Sequence, residues 1–306
     1  MNPANADILY SYAEREGMFK STDRGLTWQS LPFGTDVLSP AAPLIETILV
    51  DRSDPAIVYA ASGLGQGALI RSTDAGVTWK RPLEDVGIED LENDPAAGGT
   101  VWAAGYSQSS VQSEVLYRSV DYGATWQGVA FPDEELAWLL AFEVDPTNSQ
   151  VLWAAGGLFE PRPPQGVRLH LRIHRSADGG LTWQRRDSGI EAPDGVTVLD
   201  LAIDPANPNR LYAATLIGLF RTTDAGITWT RLNDSPVTEV ETSPTAVYAS
   251  MTGIGIFRST DGGANWSPVR EGLGAVPVLD LTIDPTNPRR LYAGTGTRSL
   301  FTYEEP

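Results

Sequence analysis

The 306-residue chain contains no cysteine, only two histidines and only two lysines. Zero cysteines exclude disulfides, thiol catalysis and cysteine-bound zinc. Long apolar runs are missing too. The longest lies near residues 137–142, far short of the ~20 residues that a membrane helix needs. No basic start leads into an apolar stretch, so no signal peptide is expected. Positive charge is scarce: 22 basic side chains face 39 acidic ones, for a net charge of -17. Such a surface argues against nucleic acid as a partner and gives no sign of membrane insertion. The compartment stays open, with an extracytoplasmic setting favoured. Twenty arginines against two lysines suit a GC-rich bacterial source. What is present, 42% hydrophobic and 20% charged residues, suits a globular chain with a sizeable core.

An internal repeat organises that chain. Ser21-Thr22-Asp23-Arg24-Gly25-Leu26-Thr27-Trp28 recurs as Ser72-Thr73-Asp74-Ala75-Gly76-Val77-Thr78-Trp79, and four more times around Asp121, Asp178, Asp224 and Asp261. The pattern Ser/Thr-x-Asp-x-Gly-x-Thr-Trp predicts a hairpin. Aspartate accepts hydrogen bonds from turn amides, and glycine supplies a conformation closed to other residues. A second signature lies between the boxes. Asp204-Pro205-Ala206-Asn207-Pro208 leads to Leu211-Tyr212-Ala213, and Asp284-Pro285-Thr286-Asn287-Pro288 leads to Leu291-Tyr292-Ala293. Each is a turn joining two short strands.

One unit therefore reads as four strands: A over 198–203, B over 211–215, C over 218–222 and D over 228–232. Strand A is expected to alternate, with Leu199, Leu201 and Ile203 on one face and Val198, Asp200 and Ala202 on the other. Four antiparallel strands per 40 to 50 residues predict an all-β propeller, one domain over residues 1–306. Seven blades are expected, the first lacking its inner strand and the last its outer one; six blades with a shared closing blade is the alternative. The insert over 156–166 is assigned to a loop.

The boxes resemble the Asp-box, or bacterial neuraminidase repeat, of the sialidase- and sortilin-like β-propellers. The Asp-Pro-x-Asn unit is similar to that of bacterial repeat proteins described as glycosyl hydrolase-like or photosystem assembly-factor-like. The resemblance covers nearly the whole chain and implies a fold more than an activity. Sialidases of this kind carry an Arg-Ile-Pro motif near the start. Here the nearest string is Arg172-Ile173-His174, in a strand C, so sialidase activity is not expected. Related endoglucanase propellers place paired aspartates in a cleft between two domains, which one propeller alone does not build.

Subtracting the repeat leaves few residues for function. Six tryptophans belong to boxes. Trp102 and Trp153 fill a strand-B column held elsewhere by tyrosine, which marks core packing. Trp138 alone has no repeat role. It is either a stacking platform or a residue folded over its own blade. Tyr106 opens one insert. Residues 158–168, stiffened by Pro161, Pro163 and Pro164, form another, with Phe159 and Arg162 as contacts. Strand A offers an acidic column, Asp90, Asp200, Glu239 and Asp280, with Thr47 and Ala141 in the other places. These four are the candidate catalytic carboxylates. Asp90, Asp200 and Asp280 are also the candidate ligands of a Ca²⁺ or Mg²⁺ ion, the one cofactor the column suits. His170 and His174 sit four apart on a strand, too far for one metal ion. No Gly-x-Ser-x-Gly elbow occurs, and the glycines at 63, 65 and 67 read as a turn rather than a phosphate loop.

The preferred expectation is a non-catalytic, largely monomeric binding scaffold for a protein, peptide or glycan. Its rival is a carbohydrate-active enzyme, hydrolase or lyase, acting through the strand-A carboxylates.

Overall fold

The structure is a computed structural model. It describes residues 1–13, 16–31, 45–63, 68–107, 115–131, 138–162, 166–269, 276–296 and 300–305, with the backbone alone at 107, 159–162 and 166–167. The chain divides into two compact units, residues 1–133 with 137–139, and residues 134–136 with 140–306.

The first unit carries three antiparallel sheets. They are β1 (Leu9–Ala13), β2 (Gly17–Ser21) and β3 (Gln29–Leu31); β4 (Thr47–Val50), β5 (Val58–Ser62), β6 (Ala68–Ser72) and β7 (Lys80–Glu84); and β8 (Val86–Asn93), β9 (Val101–Ser107), β10 (Leu116–Ser119) and β11 (Gln127–Gly128). The second unit carries four. They are β12 (Trp138–Val144, whose first residues cluster with the first unit), β13 (Leu152–Arg162), β14 (Gly166–Ser176) and β15 (Gln184–Arg185); β16 (Val198–Ile203), β17 (Leu211–Thr215), β18 (Gly218–Thr222) and β19 (Thr230–Arg231); β20 (Val237–Thr242), β21 (Val247–Met251), β22 (Gly255–Ser259) and β23 (Ser267–Pro268); and β24 (Val278–Ile283), β25 (Arg290–Thr295) and β26 (Leu300–Glu304). Every sheet is a meander in chain order, and the seven are the blades of a β-propeller. The first sheet has strands B, C and D, and the last has A, B and C, so the count is seven and not six.

The six boxes fold alike for one reason. In the first, the Ser21 hydroxyl donates to Asp23 Oδ1 and accepts from the Gly25 amide, both at 2.8 Å. Asp23 in turn accepts from the Thr27 amide at 2.8 Å and the Thr27 hydroxyl at 2.5 Å. The same set recurs at Asp74, Asp121, Asp178 and Asp224, and Asn265 replaces threonine in the sixth. The box glycine must be glycine: at Gly76 and Gly263 the backbone turns left-handed, with φ of 94° and 90°. The indoles of Trp28, Trp79 and Trp266 donate back to that glycine's carbonyl.

These bonds hold the box carboxyls well below their ordinary range. Asp224 is brought down to about 2, chiefly by the Thr228 amide and hydroxyl. Its folded pKa lies below its unfolded one, so its contribution is present above pH ~4 and is lost as pH falls toward 2. We expect Asp224→Asn to lower the melting temperature at pH 7 and to approach the wild-type value near pH 2. A melting difference independent of pH would contradict this account.

Hydrophobic cores lie between successive sheets of each unit. Ala141, Trp153, Leu171 and Ile173 of β12–β14 pack with Val198, Leu201, Ile203 and Phe220 of the next sheet. The aromatic column on strand B is core: Tyr59, Trp102, Trp153, Tyr212 and Tyr248 are fully buried. It also reaches the next blade's box. The Tyr10 hydroxyl and Lys20 ammonium both donate to the Ala75 carbonyl. Arg221 donates to the Gly262 carbonyl at 2.6 Å. At the last blade, Glu305 takes the box position, accepts from the Tyr248 hydroxyl and forms an ion pair with Arg258, each at 2.6 Å.

Two local expectations are corrected. Strand A does not alternate without a break. A bulge between Val198 and Asp200 puts Val198, Leu201 and Ile203 into one core cluster. Matching bulges precede Asp90, Glu239 and Asp280, because an extra residue resets the two-residue period. The 156–166 insert is not simply a loop. Residues 152–162 pair with 166–176 along an extended hairpin, in which Pro161 opposite Val167 is tolerated near the end.

Candidate functional site

A carboxyl pair under two aromatic rings forms in the first unit. Glu46 immediately precedes β4, and Glu89 is the residue looped out by the bulge of β8. The two inner strands stand side by side. Each glutamate occupies the same repeat position, one residue before the column that holds Thr47 and Asp90. Their carboxyls close over Gly63 at the end of β5. The Gly63 amide donates to Glu46 Oε2 at 2.9 Å. A Cβ at Gly63 would stand 2.0 Å from Glu46 Oε2 and 2.4 Å from Glu89 Oε1, so a side chain there would push the two carboxyls out of this arrangement.

The aromatic side comes from two strands. The Trp138 indole donates to Glu89 Oε1 at 3.3 Å. Its ring meets that of Tyr106 edge to face, with centroids 6.0 Å apart. The Tyr106 hydroxyl donates to the Gly63 carbonyl. Glu46 is exposed, while Glu89, Tyr106 and Trp138 are half-buried, so the cluster opens to solvent.

Two acids this close do not both ionise. Burial, then the hydrogen bond to Glu46 and its charge, push Glu89 up to about 8, against the pull of the Trp138 indole. Near neutral pH the site holds a carboxylic acid beside a second carboxyl group. A folded pKa above the unfolded one of ~4.5 means that the folded state binds the extra proton. Its contribution is complete below pH ~4.5 and is lost as pH rises through 8. We expect the melting temperature to decline between pH 5 and 8, and Glu89→Gln to flatten that decline. Scanning calorimetry at several pH values checks it. Solvent contact limits the effect to ~1–2 kcal/mol.

The sequence-derived column has other surroundings. Asp90, Asp200, Glu239 and Asp280 share one register position, opposite Ala104, Ala214, Ser250 and Gly294. Asp90 accepts a bond from the Leu91 amide at 2.8 Å. Asp200 Oδ2 accepts from the Val240 amide at 2.7 Å, tying β16 to β20. Glu241, two residues beyond Glu239, is pushed up to about 7 by burial. Among the described residues, no group of three or more His, Asp or Glu stands close enough to hold a metal ion. Tyr106 and Trp138 come together. Phe159 and Arg162 lie on β13 opposite Leu169 and Gly166, and their side chains fall outside the described residues. Sequence reasoning missed Glu46 and Glu89. The signal was there: two consecutive units carry glutamate where later ones carry Leu199, Thr238 and Leu279.

No protein-family model matches the chain. The chain is 29% identical to a xyloglucanase of Paenibacillus sp, over 96% of this chain and 32% of that protein. It is 27% identical to xyloglucanase Xgh74A of Acetivibrio thermocellus, over 69% of this chain and 28% of that one. It therefore spans about a third of the length of these curated relatives. Among solved structures, the GH74 xyloglucanase from Xanthomonas campestris superposes with a TM-score of 0.72 at 19% identity, covering 99% of this chain and 50% of that one. YCF48 bound to D1 peptide superposes with a TM-score of 0.68 at 14% identity, covering 99% and 91%. At those identities the superpositions show the fold alone. The curated relatives overturn the expectation of a non-catalytic scaffold, since they are carbohydrate-active enzymes. That expectation rested on the lack of a marked carboxyl pair, and the pair forms only when two blades come together.

Proposed function

We propose that the chain is a carbohydrate-active domain of glycoside hydrolase type that acts on a xyloglucan-like β-glucan. The observation that carries this reading is the carboxyl pair of Glu46 and Glu89 at Gly63, under Trp138 and Tyr106. An aromatic face offers stacking to a sugar ring, and a carboxylic acid that keeps its proton at neutral pH offers that proton to a leaving group. The similarity to xyloglucanases supports the substrate class.

In this reading Glu89 donates its proton to the glycosidic oxygen as the bond to the anomeric carbon breaks. A water adds to that carbon, and a second carboxylate takes the water's proton. Hydrolases place the two carboxyls about 5 to 10 Å apart. Glu46 is bonded to Glu89 and keeps the proton in place before the reaction. The second carboxylate is assigned to the strand-A column, with Asp90 first because it shares β8 with Glu89. A polymeric glycan does not cross a membrane, so the proposed site of action is outside the cytoplasm. Among the described residues, no helix is long and apolar enough to span one.

The test is incubation of the purified chain with xyloglucan, following both reducing ends and retention of the chain in a xyloglucan-containing gel. New reducing ends together with retention support the proposal. Retention without cleavage removes the hydrolase reading, and neither effect removes the carbohydrate reading.

A further inference from the structure

The second unit holds a pocket at the open edge of β14. Strands β13 and β14 are eleven residues long, against about five in most other blades. Their neighbour β15 has two residues and pairs only with His174 and Arg175. Strand β14 thus outruns its partner. The chain after β15 touches that open edge at two backbone points, Arg186 N to Ile173 O at 2.7 Å and Gly195 N to Leu169 O at 3.0 Å. Between them lies Leu171, whose carbonyl accepts from the Arg172 guanidinium at 2.9 Å. The chain bows away there and leaves a pocket of about 520 Å³, within the usual range of roughly 300–1,000 Å³ for ligand sites.

Its walls combine two chemistries. His170, Arg172, Arg185, Asp187 and Glu191 supply donors and acceptors, and Ile190 and Pro193 supply apolar surface. Arg185 is matched by Asp187, with Nε at 2.8 and 2.9 Å from the two oxygens. Arg172 and Glu191 add one cation and one carboxylate, so the lining carries no net charge. A pocket with forked polar groups, no surplus charge and an apolar wall suits a neutral molecule rich in hydroxyls. An anion would find no net positive charge in the lining, in a chain already at -17.

We propose that this pocket is a second saccharide-binding site, for a neutral oligosaccharide, separate from the carboxyl cluster. The choice of ligand rests on the carbohydrate reading above. The planar groups of Arg172 and Glu191 take pairs of adjacent hydroxyls, and Ile190 and Pro193 take the C–H face of a ring.

The chain's two histidines make the test direct. His174 is 1% exposed, and His170 lines the pocket, so proton NMR of the imidazoles reports the site through one of two residues. Cellotetraose is titrated into wild type, Arg172→Ala, Glu191→Gln and Glu89→Gln, with digalacturonate as the acidic probe. We expect the His170 signals to move saturably with cellotetraose and not with digalacturonate. Arg172→Ala and Glu191→Gln should each weaken this titration tenfold or more, and Glu89→Gln should leave it unchanged. Glu191 is exposed, so its variant keeps the fold and guards against a misfolded Arg172→Ala. Static His170 signals, a response to digalacturonate alone, or a titration indifferent to both pocket variants would overturn the proposal. Saturable His170 shifts without xyloglucan cleavage would retain this pocket and remove the hydrolase reading. Cleavage with static signals would do the reverse.

Discussion

Glu89→Gln is expected to lower xyloglucan cleavage by about 10²- to 10⁴-fold, the usual loss when a positioned general acid is removed. The substitution keeps the shape and the acceptor oxygen that faces Trp138, and deletes the proton. Binding should therefore survive, with kcat falling far more than KM rises. The wild-type rate should fall as pH rises past about 8, where Glu89 loses its proton. That alkaline limb should be absent from the residual activity of the variant. Glu46→Gln tests the neighbour. Without a second carboxyl beside it, Glu89 titrates lower and the limb moves to lower pH. An alkaline limb that stays in place in Glu46→Gln would show that burial alone sets it. Full activity in Glu89→Gln would end the assignment.

The largest effect on stability is expected at Trp153→Ala. Trp153 is 1% exposed and sits in the core shared by two successive sheets. Arg175 lies over its ring at 5.7 Å. The next box turns against its far edge, where a Cβ at Gly226 would come within 2.8 Å of the ring. Truncation empties this site on three sides, with a cost of ~3–5 kcal/mol. For a chain of this size that corresponds to a melting temperature lower by on the order of 10 °C. Trp138→Ala is the matched control. Trp138 is half-buried at a site open to solvent, so its loss should cost much less stability and should weaken glycan binding instead. Comparable melting temperatures for the two variants would contradict the division between core and site.

That division was partly legible in the residues. Each box is local: serine, aspartate, glycine, threonine and tryptophan within eight positions carry the whole hydrogen-bond set, so the pattern alone predicts the hairpin. The strand-B column was equally readable, because an aromatic repeated at one position has to pack. The carboxyl pair was not. Glu46 and Glu89 are 43 residues apart, and their meeting depends on two inner strands standing side by side. The strand-A bulge carries no local mark, so the acidic column was read one residue away from the acids that pair. The prolines at 161, 163 and 164 made the 156–166 insert look like a loop, although the flanking segments extend a hairpin. Trp138 and Tyr106 stood out because nothing in the repeat accounted for them.

The bonds that run from one sheet to the following box have a consequence for how such a chain grows and fails. Tyr10 and Lys20 hold Ala75, and Arg221 holds Gly262, so the stretch from one strand B to the next box is tied across what looks like a repeat boundary. A duplication or deletion cut from box to box keeps every such tie in phase. One cut elsewhere leaves a cation and an aromatic ring without their carbonyl. With coupling of this kind, loss of one tie is felt first by the adjacent sheet. At the last sheet the same tie is made by a single carboxylate, Glu305, which meets both Tyr248 and Arg258 of the preceding sheet.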